Sequence, residues 1–121
     1  MYSYNAEPLW EKANAVGKEI HELTEGFMRK NNGILFFLQK RAEELPQTIA
    51  SAAGTTNATT PTAHVDLLRI AYKQAHDAEF LLFLSLILYY LPSVRASALI
   101  HKVHEVKRMV VAAIKNIRAE A

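Results

Sequence analysis

Two pairs of side chains stand three residues apart, His76 with Glu79 and His101 with His104. On a helix such a pair shares one face, so either could offer two ligands to a divalent cation. A di-metal carboxylate centre in a helical bundle asks for more, namely inward-facing glutamates and two Glu-x-x-His pairs on separate helices. No Glu-x-x-His occurs in the 121 residues. The inward rows of the same helices read as Leu, Ile, Val and Ala, so the histidines are expected at a surface or an interface and no metal is expected. Serines at 3, 51, 85, 93 and 97 lack the glycine pattern of a nucleophile elbow, and no Ser, His and Asp share a spacing that suggests a triad. Four scattered glycines make no phosphate-cradling loop, and zero cysteines exclude thiolate nucleophiles, thiolate zinc sites and disulfides. The expectation is a protein that is not an enzyme and carries no cofactor.

Charge placement says more than total charge. Residues 93–121 hold Arg95, Lys102, Lys107, Arg108, Lys115 and Arg118 against Glu105 and Glu120, a net +4, whereas residues 1–92 carry eight bases and ten acids, a net −2. At about 100° per residue, Lys107, Arg108, Lys115 and Arg118 fall within an arc of roughly 100° opposite the apolar stripe, with His101 and His104 on the same side. A cationic stripe of this kind binds phosphate backbones with salt-sensitive, sequence-indifferent affinity, and repetition in an oligomer multiplies it.

Four helices must position these residues. The first is expected over residues 6–30, with Leu9, Ala13, Val16, Ile20, Leu23 and Phe27 as its seam, Asn5 as cap, Pro8 in the first turn, and Asn31, Asn32 and Gly33 as left-handed terminators. The second, over 34–53, carries Ile34, Leu38, Ala42, Leu45, Ile49 and Ala52 on one face, and Pro46 predicts a kink near Leu45 or two abutting helices. The Thr-rich stretch 54–62 is the longest loop. Pro61 or a neighbouring Thr, with Thr60 or Thr62 as cap, opens a third helix over 63–91, with Leu67, Leu68, Ala71, Ala75 and Ala78 inward. A fourth, over 94–118, points Leu99, Val103, Val106, Val110, Ala113, Ile114 and Ile117 inward. Short connections favour antiparallel neighbours, so the fold class is all-α, an up-down-up-down antiparallel four-helix bundle forming one domain over residues 1–121.

The apolar content is more than such a bundle hides. Residues 80–91 read FLLFLSLILYYL, with Ser85 the only strongly polar member. That run is too short for a membrane span of about 20 residues. A helix apolar all round, in a bundle that covers about half its circumference, leaves part of its surface in water. Phe80, Phe83, Ile87, Tyr89 and Tyr90 are therefore expected to form a self-association surface. No basic leader followed by an apolar run opens the chain, so a cytoplasmic location without membrane association is expected.

Several blocks carry a family likeness. LWEKA at residues 9–13 and KEIHELTEGF at 18–27 resemble a Leu-Trp-x-Lys-Ala start and a run ending in Leu-Thr-x-x-Phe. LQKRAEELPQTIASAAG at 38–54 is similar to Gln-x-x-Arg-Ala followed by Ile-Pro-x-Asn-Ile-Ala-Glu-Gly, and LLRIAYKQAHDAE at 67–79 continues the order. The chain thus resembles the bacterial 23S rRNA-intervening-sequence proteins, whose members include accessory proteins of diversity-generating retroelements. Thr48 to Ala52 depart from the family, losing its Asn and Glu, and VKRM at 106–109 is only faintly like the accessory branch's last helix. The resemblance implies a homopentameric ring of bundles that binds RNA or DNA, with a reverse transcriptase as partner and Lys40 and Arg41 as further basic positions. The competing expectation is an adaptor ring that binds protein through the polar faces of the first helix and no nucleic acid.

Overall fold

The computed structural model describes residues 5–28, 32–54 and 61–120. Among them are four helices and no strand: α1 (Glu7–Glu25), α2 (Gly33–Gly54), α3 (Pro61–Ile87) and α4 (Ser93–Glu120). Each helix packs on its neighbours in the chain, and α1 also packs on α4, closing the set around one core.

Helix α1 buries Leu9, Ala13, Val16, Ile20 and Leu23, the expected seam, while Phe27 is only half-buried beyond its end. Asn5 Oδ1 accepts the Glu7 N–H (3.0 Å). Pro8 sits in the first turn, where its missing donor is not needed. The helix stops at Glu25, short of residue 30: Gly26 keeps right-handed dihedrals (φ −69°, ψ −17°), and the Phe27 N–H bonds back only three residues, to the Thr24 carbonyl (3.0 Å), which tightens the last turn. Gln39 fixes that end to α2, donating to Thr24 Oγ1 (2.9 Å) and Glu25 Oε2 (3.1 Å). Of the expected left-handed terminators, Asn32 and Gly33 do not act as such. Asn32 caps α2, its Oδ1 accepting the Leu35 N–H (3.2 Å), and Gly33 begins that helix without a positive φ. Asn31 lies outside the described residues.

Helix α2 buries Leu35, Leu38, Ala42, Leu45, Ile49 and Ala52. Leu35 takes the inward place expected of Ile34, which restores the alternating three- and four-residue spacing of the face. Pro46 does not divide the element: one helix runs through it, held by Leu45 and Ile49 packed on either side. Helix α3 opens at Pro61, so Thr62 is inside the helix rather than its cap; Thr60 and the rest of 55–60 lie outside the described residues. It buries Val65, Leu68, Ala71, Ala75, Ala78 and Leu82, with His64 and Ser85 on the same face, while Leu67 is half-buried. It ends at Ile87, four residues before the expected Leu91, in a turn where Tyr89 adopts φ 61°. Helix α4 contributes Ala96, Leu99, Val103, Val106, Val110, Ala113 and Ile117, with Ile114 half-buried.

Ion pairs fix helix directions. Lys12 bonds Glu105 (3.0 Å) and Glu19 bonds Lys102 (2.7 Å), so α1 and α4 run oppositely. Arg41, thirteen residues before the end of α2, pairs with Asp77 (3.5 Å), sixteen residues into α3, so these two also run oppositely away from their connection. No helix among the described residues is long and apolar enough to cross a membrane.

Candidate functional site

The outer face of α4 keeps three of its four expected cations. Arg108, Lys115 and Arg118 are exposed, and none has a carboxylate within ion-pair distance among the described residues. At about 1.5 Å per residue, Lys115 stands roughly 10 Å beyond Arg108 along the axis and Arg118 about 4.5 Å further. His101 and His104 are exposed on the N-terminal side of the row. Glu105 is neutralised by another helix: the Lys12 hydrogen bond and charge, aided by the more distant Arg108, hold its carboxyl below the usual range despite some desolvation.

Lys107 does not belong to that row. It follows the buried Val103 by four residues and precedes the buried Val110 by three, which turns it toward α3 at the margin of the apolar arc. It is 8% exposed, and its Nζ donates to Glu79 Oε1 (2.9 Å) and His76 Nδ1 (3.1 Å) and lies 5.3 Å from the Tyr72 ring centroid. His104 Nδ1 approaches the other Glu79 oxygen at 3.3 Å. Desolvation raises the Glu79 pKa, but the Lys107 hydrogen bond and charge, followed by those of His104, outweigh it and leave the carboxyl below its ordinary value. The i, i+3 pairs from which metal chemistry was weighed thus meet only in part. His76, Glu79 and His104 surround an ammonium, His101 stands apart, and no group of three or more such ligands among the described residues is disposed to hold a metal.

On α2, Lys40 is exposed. Arg41 is committed to the fold, its guanidinium paired with Glu44 (2.8 Å) and Asp77 (3.5 Å).

Phe80, Phe83, Ile87, Tyr89 and Tyr90 are all exposed, in a run that starts level with Lys107, the partner of Glu79, and ends in the α3–α4 turn. The structure adds Phe36 and Phe37 from the start of α2, Leu88 from the α3–α4 turn and Val94 from the first turn of α4. Phe37 lies four residues beyond Arg41 and Phe80 three beyond Asp77, both away from the α2–α3 connection, so these groups share one end. With aromatic side chains of about 150–250 Å² each, these nine largely exposed residues present roughly 1,000 Å². Spread over α2, α3 and the start of α4, that total compares with roughly 300–600 Å² for the largest contiguous apolar patch on a typical monomer. Ile34, Leu35, Phe36 and Phe37 are consecutive, so one helix face cannot hide them all, and this is the signal by which Phe36 and Phe37 were legible.

A groove of about 610 Å³ runs between α1 and α2, lined by Trp10, Lys18, His21, Glu22, Glu43 and Pro46 among others. Its floor is a close helix contact: a Cβ on Gly17 would stand 2.7 Å from the Ala42 carbonyl oxygen. Nothing in the composition marks this groove; only the lone glycine within the α1 seam hints at it. Scans against protein-family models, curated proteins and solved structures find no match for this chain.

Proposed function

We propose that this chain is a non-enzymatic four-helix protein of up-down-up-down course that self-associates through its apolar end and binds the phosphate backbone of RNA or DNA through α4. The self-association surface is the set around Phe80, Phe83, Ile87, Tyr89 and Tyr90, large enough to supply the about 800 Å² per partner of a standard interface. The nucleic-acid surface is Arg108, Lys115 and Arg118, with Lys40 as an outlying contributor. The observation that carries this reading is the row of three exposed cations without carboxylate partners among the described residues, on a helix whose Lys102 and Glu105 are both paired to α1. The family resemblance supports a pentameric ring with a reverse transcriptase as a protein partner, and the N-terminal sequence, without a basic leader and apolar run, supports a cytoplasmic location.

Binding of RNA and DNA oligonucleotides across a salt series tests the proposal. Each phosphate neutralised contributes about −0.9 to the slope of log affinity against log salt for duplex and about −0.7 for single strands, so three cations give a slope of about −2 to −3 per chain. Reversing Arg108, Lys115 and Arg118 to Glu abolishes binding on this reading. Affinity insensitive to salt, or to that reversal, refutes it. A protein-binding adaptor is the second reading, favoured by the α1–α2 groove with Trp10 on its wall. A partner polypeptide recovered without nucleic acid, and lost on Trp10→Ala, would support that alternative.

A further inference from the structure

The turn that ends α3 places an unexpected residue in an expensive conformation. The Tyr90 N–H bonds the Ser85 carbonyl (2.8 Å) and the Tyr89 N–H bonds the Leu86 carbonyl (3.2 Å). These are the two bonds of a Schellman termination, whose left-handed residue is ordinarily glycine because a Cβ is penalised there. Here that residue is Tyr89, at φ 61°. The residue is 93% exposed, so within one chain it gains almost no burial to offset the backbone penalty. Local strain kept without a compensating intrachain contact points to work done elsewhere.

We propose that Tyr89 is the anchor by which one copy of this chain grips a second copy. This rests on the self-association reading above and deepens it by naming the residue that dominates the contact. Three features select the role. The residue sits at a left-handed turn with almost its whole surface open to contact. Tyr90, Val94 and Arg95, close by in sequence, are also exposed, and interface anchors are enriched in tyrosine, which gains contact area for little lost torsional freedom. The surrounding apolar end, roughly 1,000 Å², matches what a stable pair of proteins buries on each side, which favours a second copy as its occupant.

Sedimentation velocity over a concentration series, with thermal unfolding at a dilution where the wild type is dissociated, tests this on the full chain. Tyr89→Gly and Tyr89→Asn both suit the left-handed position and remove the ring. Each weakens self-association by about thirtyfold, the effect of an interface anchor, and leaves the unfolding midpoint of the dissociated chain unchanged or higher. Tyr89→Phe keeps most of the association. Phe80→Asp with Phe83→Asp serves as the comparison that breaks the wider surface. If that double variant dissociates and Tyr89→Gly does not, the anchor is refuted while self-association stands. A lower midpoint for both Tyr89→Gly and Tyr89→Asn refutes it too, since the ring then supports its own fold. A wild type that is monomeric at every concentration refutes the self-association reading itself. A monomer that binds phosphatidylcholine–phosphatidylglycerol vesicles and loses them on Tyr89→Gly overturns the second copy in favour of a lipid surface.

Discussion

Lys107→Met should damage folding while Arg108→Met, one residue away, should not. The Lys107 and Glu79 side chains are 10% and 21% exposed, and their 2.9 Å contact is reinforced by His76, Tyr72 and His104. Removing one member of a buried ion pair costs about 3–5 kcal/mol, chiefly because the other charge is left desolvated and unpaired. Glu79 keeps some access to water and its contact to His104, which places the expected loss at the lower end, about 2–3 kcal/mol. For a chain of this size that lowers Tm by roughly 8–12 °C. Glu79→Gln strands the ammonium and should cost a similar amount. The double variant should cost less than the sum of the two by about 1–2 kcal/mol, since each single change already removes the same interaction. Arg108→Met, at an exposed position, should stay within about 0.5 kcal/mol. Urea unfolding followed by circular dichroism, at one fixed protein concentration so that self-association contributes equally, gives all four values. Lys107→Met matching Arg108→Met would refute the buried pair and return Lys107 to the outer row.

Two further outcomes follow from packing and burial. Gly17→Ala drives a methyl to 2.7 Å from the Ala42 carbonyl, a backbone atom that cannot swing aside, so it should destabilise by about 1–2 kcal/mol in denaturant titrations although alanine is the better helix former. Burial pushes the His64 pKa below its ordinary 6.5, so the folded chain holds it neutral where the unfolded chain protonates. Its contribution is therefore fully present above pH 6.5 and is lost as pH falls from there toward the folded value, with a slope of at most about 1.4 kcal/mol per pH unit. His64→Leu should flatten that part of the stability profile relative to wild type, and an unchanged profile would show that His64 charges in place.

The inward faces of the helices were legible because apolar residues recur every three or four positions, and such a pattern survives a one-residue error, as the exchange of Ile34 for Leu35 shows. Helix ends were less legible, since they depend on side-chain to backbone bonds that have several local solutions. Asn32 could end α1 or begin α2, and only the Leu35 N–H settles which. Lys107 was misplaced for a related reason. A helical wheel sorts residues by angle, but a lysine at the margin of the apolar arc goes wherever its ammonium finds a carboxylate, and Glu79 lies 28 residues earlier in the chain. At Pro46 one of the two expected outcomes, a division into two helices, does not occur, and buried Leu45 and Ile49 lie on either side of the proline in one continuous α2.

The two proposed surfaces are compatible because of where α4 carries them. Val94 begins the helix at the apolar end, and at about 1.5 Å per residue Arg108 stands roughly 20 Å away along the axis and Arg118 roughly 36 Å away. The apolar surface also reaches along α3 to Phe80, which follows Glu79 and so stands level with Lys107 and Arg108; Lys115 and Arg118, roughly 10 Å and 15 Å beyond Arg108, are the cations that copies joined through this surface leave clear. The symmetry of that joint then decides what the cations can do together. A closed ring sends every α4 the same way, so its basic rows gather on one side and one nucleic-acid strand meets several of them, which raises avidity without any new contact. An isologous pair sends the two rows to opposite poles, where a short strand reaches only one. If both proposals hold, the apolar surface sets the valency of the basic row, and Tyr89→Gly lowers the avidity for a long strand although the residue touches no nucleic acid.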